Sequence, residues 1–152
     1  MKGLSFFLKS KGEIDMIQLY VVPGCLSCRK ARTWLEENKI AYEEYSIFSD
    51  PPNVISLKMM LQLTEEGTTE LISTRSHAFQ ELNIDLDDLL ISDFFELIQT
   101  NPALLRRPII MDTKRLVVGY NEDNIRAFLP REVRKMELQR MQKVINSDDK
   151  LA

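Results

Sequence analysis

Ile17-Gln18-Leu19-Tyr20-Val21-Val22 is a short run of strand formers, and Pro23-Gly24 ends it. The run over residues 29–37 places Ala31, Trp34 and Leu35 at helical spacing, and residues 41–48 are aromatic and partly alternating, as in a strand. Strand, helix and strand within about thirty residues form a βαβ unit, whose parallel pair takes a right-handed crossover. Asp50-Pro51-Pro52-Asn53 then breaks the pattern before a helix over residues 54–63. Residues 64–70 read as a turn between helices, with Gly67 at a left-handed cap position and Thr68 as the next N-cap. Mixed apolar spacing over residues 71–91 predicts short helices. Ser92 caps an amphipathic helix over residues 93–100, with Phe94, Leu97 and Ile98 or Phe95 facing inward, and Asn101-Pro102 stops it. Ile109-Ile110-Met111 reads as a buried strand, Lys114-Arg115 as a hairpin turn and Leu116-Val117-Val118 as the last strand. Helices follow over residues 122–128 and 131–146.

This order, βαβ, helices, ββα, predicts an α/β chain of thioredoxin-like fold. It has a four-stranded mixed sheet, a helical insert at about residues 53–101 and an extra C-terminal helix. Pro108 stands directly ahead of a strand, where proline is tolerated only at the first position or an edge. In a thioredoxin-like sheet that position holds a cis-proline facing a C-x-x-C pair, so Pro108 is predicted to be cis.

Composition changes the picture little. A length of 152 residues with 44% hydrophobic content suits one domain, read as residues 16–130 with 131–152 as an added helix and tail. The net charge of −3 gives no global sign of a nucleic-acid binder. Residues 126–143 nevertheless carry six bases against two acids. That asymmetry suits an anionic partner, or else a solvated helix face packed by its Met and Val side. No apolar run is long enough for a membrane span, and Lys9 and Lys11 interrupt the leading apolar segment before an export signal can form. Residues 1–15 read as a flexible extension or a misassigned start, because Met16 stands immediately before the first strand. The chain is expected to be cytoplasmic, where a C-x-x-C is more often redox-active than structural.

The chemistry centres on Cys25-Leu26-Ser27-Cys28, which holds the only two cysteines. Helix-start N–H groups and the cations of Arg29 and Lys30 favour thiolate, drawing a thiol from about 8.5 toward roughly 7 or below. Residues three apart on a helix have Cβ atoms roughly 5–6 Å apart, whereas a disulfide wants them near ~3.8 Å. Cys25 is therefore expected just before the first turn. Three readings stay open at this point: a pair that closes on itself or a partner, half a zinc site with His77 as at most a third ligand, and inert core thiols.

With these blocks in place, the chain resembles the Spx branch of the arsenate-reductase-like (ArsC) family over residues 16–146. The matching stretches are Cys25-Leu26-Ser27-Cys28-Arg29-Lys30-Ala31-Arg32, Thr64-Glu65-Glu66-Gly67-Thr68 and Ile72-Ser73-Thr74-Arg75-Ser76. Leu104-Leu105-Arg106-Arg107-Pro108-Ile109-Ile110, Gly119-Tyr120-Asn121-Glu122-Asp123 and Phe128-Leu129-Pro130-Arg131 complete them. The resemblance implies a transcriptional regulator without a helix-turn-helix, not an enzyme, and no cofactor. It would bind the C-terminal domain of the RNA polymerase α subunit and redirect transcription under disulfide stress, meeting promoter DNA only within the polymerase complex. Cys25 and Cys28 would form a thiol–disulfide switch in which Cys25 is oxidised first and Cys28 resolves it. Gly67 and Arg75 would contact the polymerase α chain, and Arg107 would respond to the oxidised state. Control by the ClpXP protease and an adaptor belongs to the same family. His77 departs from the pattern, standing where a lysine follows Arg75-Ser76, and so does the extension before Met16. Two rivals share the fold. In an arsenate reductase Cys25 would attack arsenate held by Arg107 and Arg75, yet Val117-Val118-Gly119-Tyr120 occupies the place of a further arginine. A glutaredoxin-like oxidoreductase would be smaller than this chain.

Overall fold

The computed structural model describes residues 16–149. The expected extension over residues 1–15, and the end of the tail at 150–152, lie outside the described residues. The elements run β1 (Ile17–Val21), α1 (Leu26–Glu37), β2 (Tyr42–Ser46), α2 (Val54–Leu63), α3 (Thr68–Leu71) and α4 (His77–Leu82). They continue with α5 (Ile91–Thr100), β3 (Ile109–Met111), β4 (Leu116–Val118), α6 (Glu122–Ile125) and α7 (Arg131–Asp149), with 3-10 turns at Leu86–Asp88, Pro102–Leu104 and Arg126–Phe128.

The strands form one four-stranded sheet in the order β2-β1-β3-β4. β1 pairs parallel with β2 and antiparallel with β3, and β3 pairs antiparallel with β4. Alternation along β1 sends successive side chains to opposite faces. Ile17, Leu19 and Val21 join Ala31 and Leu35 of α1 and Ile125 of α6 on one face. Tyr20, with Val22 just beyond the strand, joins Leu57 and Met60 of α2 and Phe94 and Ile98 of α5 on the other. The helical insert therefore covers one face of the sheet, and α1 with α6 covers the other. Leu19, Leu35 and Ile98 are fully buried, each worth about 1.5–3 kcal/mol. Arg32 clamps α1 to the edge strand, its Nε 2.6 Å from Glu44 Oε1.

Several boundaries differ from expectation: β2 is shorter than residues 41–48 and α7 runs past residue 146, and four others differ for local reasons. α1 starts at Leu26, not 29, because the sulfur of Cys25 caps it. α5 starts at Ile91 behind Leu90, which has no side-chain cap, so Ser92 lies inside the helix. Thr68 is the first residue of α3, and Gly67 takes the N-cap with φ 79° and ψ −140°, a positive φ outside the left-handed helical well. The helix expected over 122–128 tightens into a 3-10 turn after Ile125. The expected packing of α7 through its Met and Val side does not occur: Met136, Met141, Val144 and Ile145 are all exposed. The helix is tied to the body near its start by an ion pair between Arg126 and Glu137. Among the described residues no helix is long and apolar enough to cross a membrane.

Candidate functional site

The two cysteines stand where β1 gives way to α1. Gly24 takes φ +74°, which L side chains rarely adopt, and this turn delivers Cys25 to the N-cap of α1. The Cys28 backbone N–H donates to Cys25 Sγ at 3.2 Å, so the sulfur satisfies one of the orphan donors of the first turn. Cys25 is half-buried, Cys28 is 1% exposed, and both thiols are unbridged.

The pair is electrostatically unequal. Burial, reinforced by the hydrogen bond with the Cys25 sulfur, pushes the Cys28 thiol up to about 12, against a backbone hydrogen bond with Val22 and the cation of Arg107. The sequence expectation of a lowered thiol therefore has the wrong sign for Cys28. Arg29 and Lys30 are exposed; the cation that acts on Cys28 is Arg107. Near neutrality Cys28 is a protonated, sheltered thiol beside a more accessible partner.

Strand register explains why Arg107 is there. β1 and β3 pair Tyr20 with Ile109, so Arg107 and Pro108, which lead into β3, lie at the end of the sheet where β1 runs on through Val22 to the thiol loop. The Arg107–Pro108 peptide is cis, and Pro108 is buried with its carbonyl accepting from Gly119 N–H at 2.7 Å. On the other side of β1, Val21 pairs with Ser46, and Ile47 N–H donates to the Val21 carbonyl at 2.8 Å. The thiol loop, the end of β2 and the entry to β3 thus meet at one end of the sheet.

Gly67 and Arg75 lie in the insert. Among the described residues nothing stands within 4 Å of where a Gly67 Cβ would project. Its φ and ψ are essentially glycine-only, and the surface there is bare. Glu70 Oε2 accepts from the backbone N–H groups of Glu65 at 2.9 Å and Glu66 at 3.2 Å, and so holds the loop that carries Gly67. Arg75 is exposed in the turn after Ile72, with no ion-pair partner among the described residues. His77 opens α4 with Nε2 2.8 Å from Glu81 Oε1, both side chains in solvent.

A short bridge joins these two regions. Ile72 pairs with Leu105, Ser73 N–H donates to the Leu104 carbonyl at 2.9 Å, and Arg106 N–H donates to the Leu71 carbonyl at 2.8 Å. The segment that enters Arg107–Pro108 is therefore the partner of the segment that leaves α3. Sequence reasoning missed Glu70 and Arg106, whose only local signal is an acid three residues after a glycine turn. It also missed Phe48, whose ring lies under the Arg107 guanidinium at 6.0 Å. Among the described residues, no three His, Cys, Asp or Glu side chains cluster as metal ligands.

A thioredoxin-type sheet with a cysteine pair at the start of its first helix, a cis-proline ahead of β3 and a helical insert defines the arsenate-reductase-like class, and the ArsC family profile matches residues 20–128. In three dimensions the chain is similar to an ArsC-family-related protein from Bacteroides fragilis. The TM-score is 0.66 at 26% identity, covering 74% of this chain and 96% of that one. In sequence it is 60% identical over 131 residues to the global transcriptional regulator Spx of Listeria innocua, covering 86% of this chain and all of the relative. It is 58% identical over 127 residues to the regulator of the same name in Enterococcus faecalis, covering 84% and 96%. The chain belongs to the Spx branch of the ArsC family.

Proposed function

We propose that this chain is a redox-sensing global transcriptional regulator, not an enzyme. It acts in the cytoplasm by binding the C-terminal domain of the RNA polymerase α subunit through the surface around Gly67 and Arg75. Promoter DNA is met only within that complex, and the ClpXP protease with an adaptor limits its amount. The thiol pair is the sensor. Cys25 thiolate attacks a peroxide oxygen; the O–O bond breaks, and the sulfenic acid forms with release of water. Cys28 then loses its proton and attacks the Cys25 sulfur, expelling hydroxide, which leaves as water. Two thiols have lost two electrons, and one peroxide has become two waters.

The observation that supports this reading best is the backbone bridge between residues 71–73 and 104–106, which ties the bare glycine loop to the entry of Arg107–Pro108 beside the thiols. The names of the relatives support the same reading.

The test is whether the wild-type chain and Gly67→Arg capture the polymerase α C-terminal domain in isolation. Binding by the wild type and loss in the variant is the expected result. Arsenate-dependent turnover without binding of that domain would instead support the enzymatic rival.

A further inference from the structure

Phe48 follows directly on β2, and it is a large aromatic left 52% exposed. Its ring lies under the Arg107 guanidinium, 6.0 Å from centroid to Cζ, at the edge of cation–π reach. Little else among the described residues holds that cation. The hydrogen bond its side chain makes is a long one, from Nη2 to the Ala103 carbonyl at 3.5 Å, in an exposed setting. The strand registers place both residues at the same end of the sheet, Phe48 one residue past Ile47 on the β2 side of β1 and Arg107 just ahead of Pro108 on the β3 side.

We propose that Phe48 is a positioning residue, whose ring holds the Arg107 guanidinium at the mouth of the thiol loop and so speeds closure of the Cys25–Cys28 disulfide. This rests on reading the pair as a switch. Closure requires Cys28 to shed a proton in a buried setting, and Arg107, the smallest of the influences on that thiol, is the side-chain cation that favours the resulting thiolate. A guanidinium free to swing into solvent would favour it less. An aromatic face fixes its place without neutralising it, which a carboxylate partner could not do.

The test uses the full chain and dithiobis(nitrobenzoate), an aromatic disulfide. Cys25 thiolate attacks the probe, whose S–S bond breaks and releases one thionitrobenzoate. Cys28 then gives its proton to solvent, attacks the Cys25 sulfur and releases the second. The protein has lost two electrons, and the probe has been reduced to two thiolates. The first release reports folding and access, and the second reports closure. In Phe48→Leu the second release slows by about threefold, whereas Phe48→Tyr, which keeps the ring, stays at the wild-type rate. Arg107→Gln also slows it, and adding Phe48→Leu to that variant has no further effect. An unchanged second release in Phe48→Leu, or an equal slowing in the Arg107→Gln background, overturns the role of Phe48. A wild-type chain that never gives a second release overturns the switch itself, and with it this inference.

Discussion

Arg106 Nη1 donates to the Glu70 carbonyl across 3.3 Å, joining residues 36 apart in sequence. The same arginine uses its backbone N–H on Leu71, and the same glutamate uses its carboxylate on Glu65 and Glu66. One side of this contact leads within two residues to the cis-proline, and the other leads within three to Gly67. These groups put the entry to β3 and the glycine loop in direct contact.

Glu70→Ala removes a charged acceptor from two backbone donors in an exposed loop. It is expected to destabilise the chain by about 1 kcal/mol, less than the roughly 1.5–3 kcal/mol of hydrogen bonds to charged groups, because water replaces the lost partner in an exposed loop. Hydrogen exchange at Glu65 and Glu66 accelerates while the sheet amides stay protected. Glu70→Asp, one methylene shorter, restores little of that protection.

Gly67→Ala places a Cβ on a backbone with φ 79° and ψ −140°, at a cost of about 1 kcal/mol or more. Asparagine, which tolerates the left-handed helical well, gives no relief, because this ψ lies outside it. Denaturant midpoints for the alanine and asparagine variants are therefore expected to fall together. Gly67→Arg is no less stable than Gly67→Ala, since nothing lies within 4 Å of the added Cβ, yet it alone covers the surrounding surface.

The raised Cys28 thiol gives stability a definite pH dependence. In the folded chain it holds its proton up to about 12, whereas in the unfolded chain the thiol ionises near 8.5. The unfolded state thus binds fewer protons above that point. Stability contributed by this group is complete below about pH 8.5 and is lost as pH rises from there toward 12, at up to about 1.4 kcal/mol per pH unit. Unfolding free energies of wild type and Cys28→Ala, measured along this range, are expected to differ in slope by that amount. The tyrosines that titrate above pH 10 act on both chains alike.

α7 contributes little to the stability of the body. Its exposed apolar side chains and partly exposed ion pair to Arg126 predict that Glu137→Ala changes global stability by only about 0.2–1 kcal/mol. Hydrogen exchange in α7 is expected to be faster than in α1 and nearly unaffected by core variants.

Much of this architecture is legible along the chain, because periodicity is a local property. The bounds of α2, the strands β3 and β4 and the cysteine pair follow from short stretches. Helix starts are harder to read. A thiol is not among the usual capping side chains, so the pattern opens α1 three residues late, while Ser92 resembles a cap yet sits inside α5. The sign of the Cys28 shift is hidden for a different reason. Helix position favours thiolate, but burial opposes it, and burial depends on how Cys28 packs with β1, β3 and β4. Phe48, Arg106 and Glu70 matter through partners distant in sequence, so no local pattern marks them.

Whether the thiol pair is a switch can be read by peptide mass mapping after brief exposure to mild peroxide. The expected product is a single bridge linking Cys25 to Cys28 within one chain, and in Cys28→Ser an unresolved sulfenic acid at Cys25 that a dimedone-type reagent captures. Two thiols still free under those conditions, or Cys25 oxidised past the sulfenic acid with Cys28 untouched, would contradict a switch.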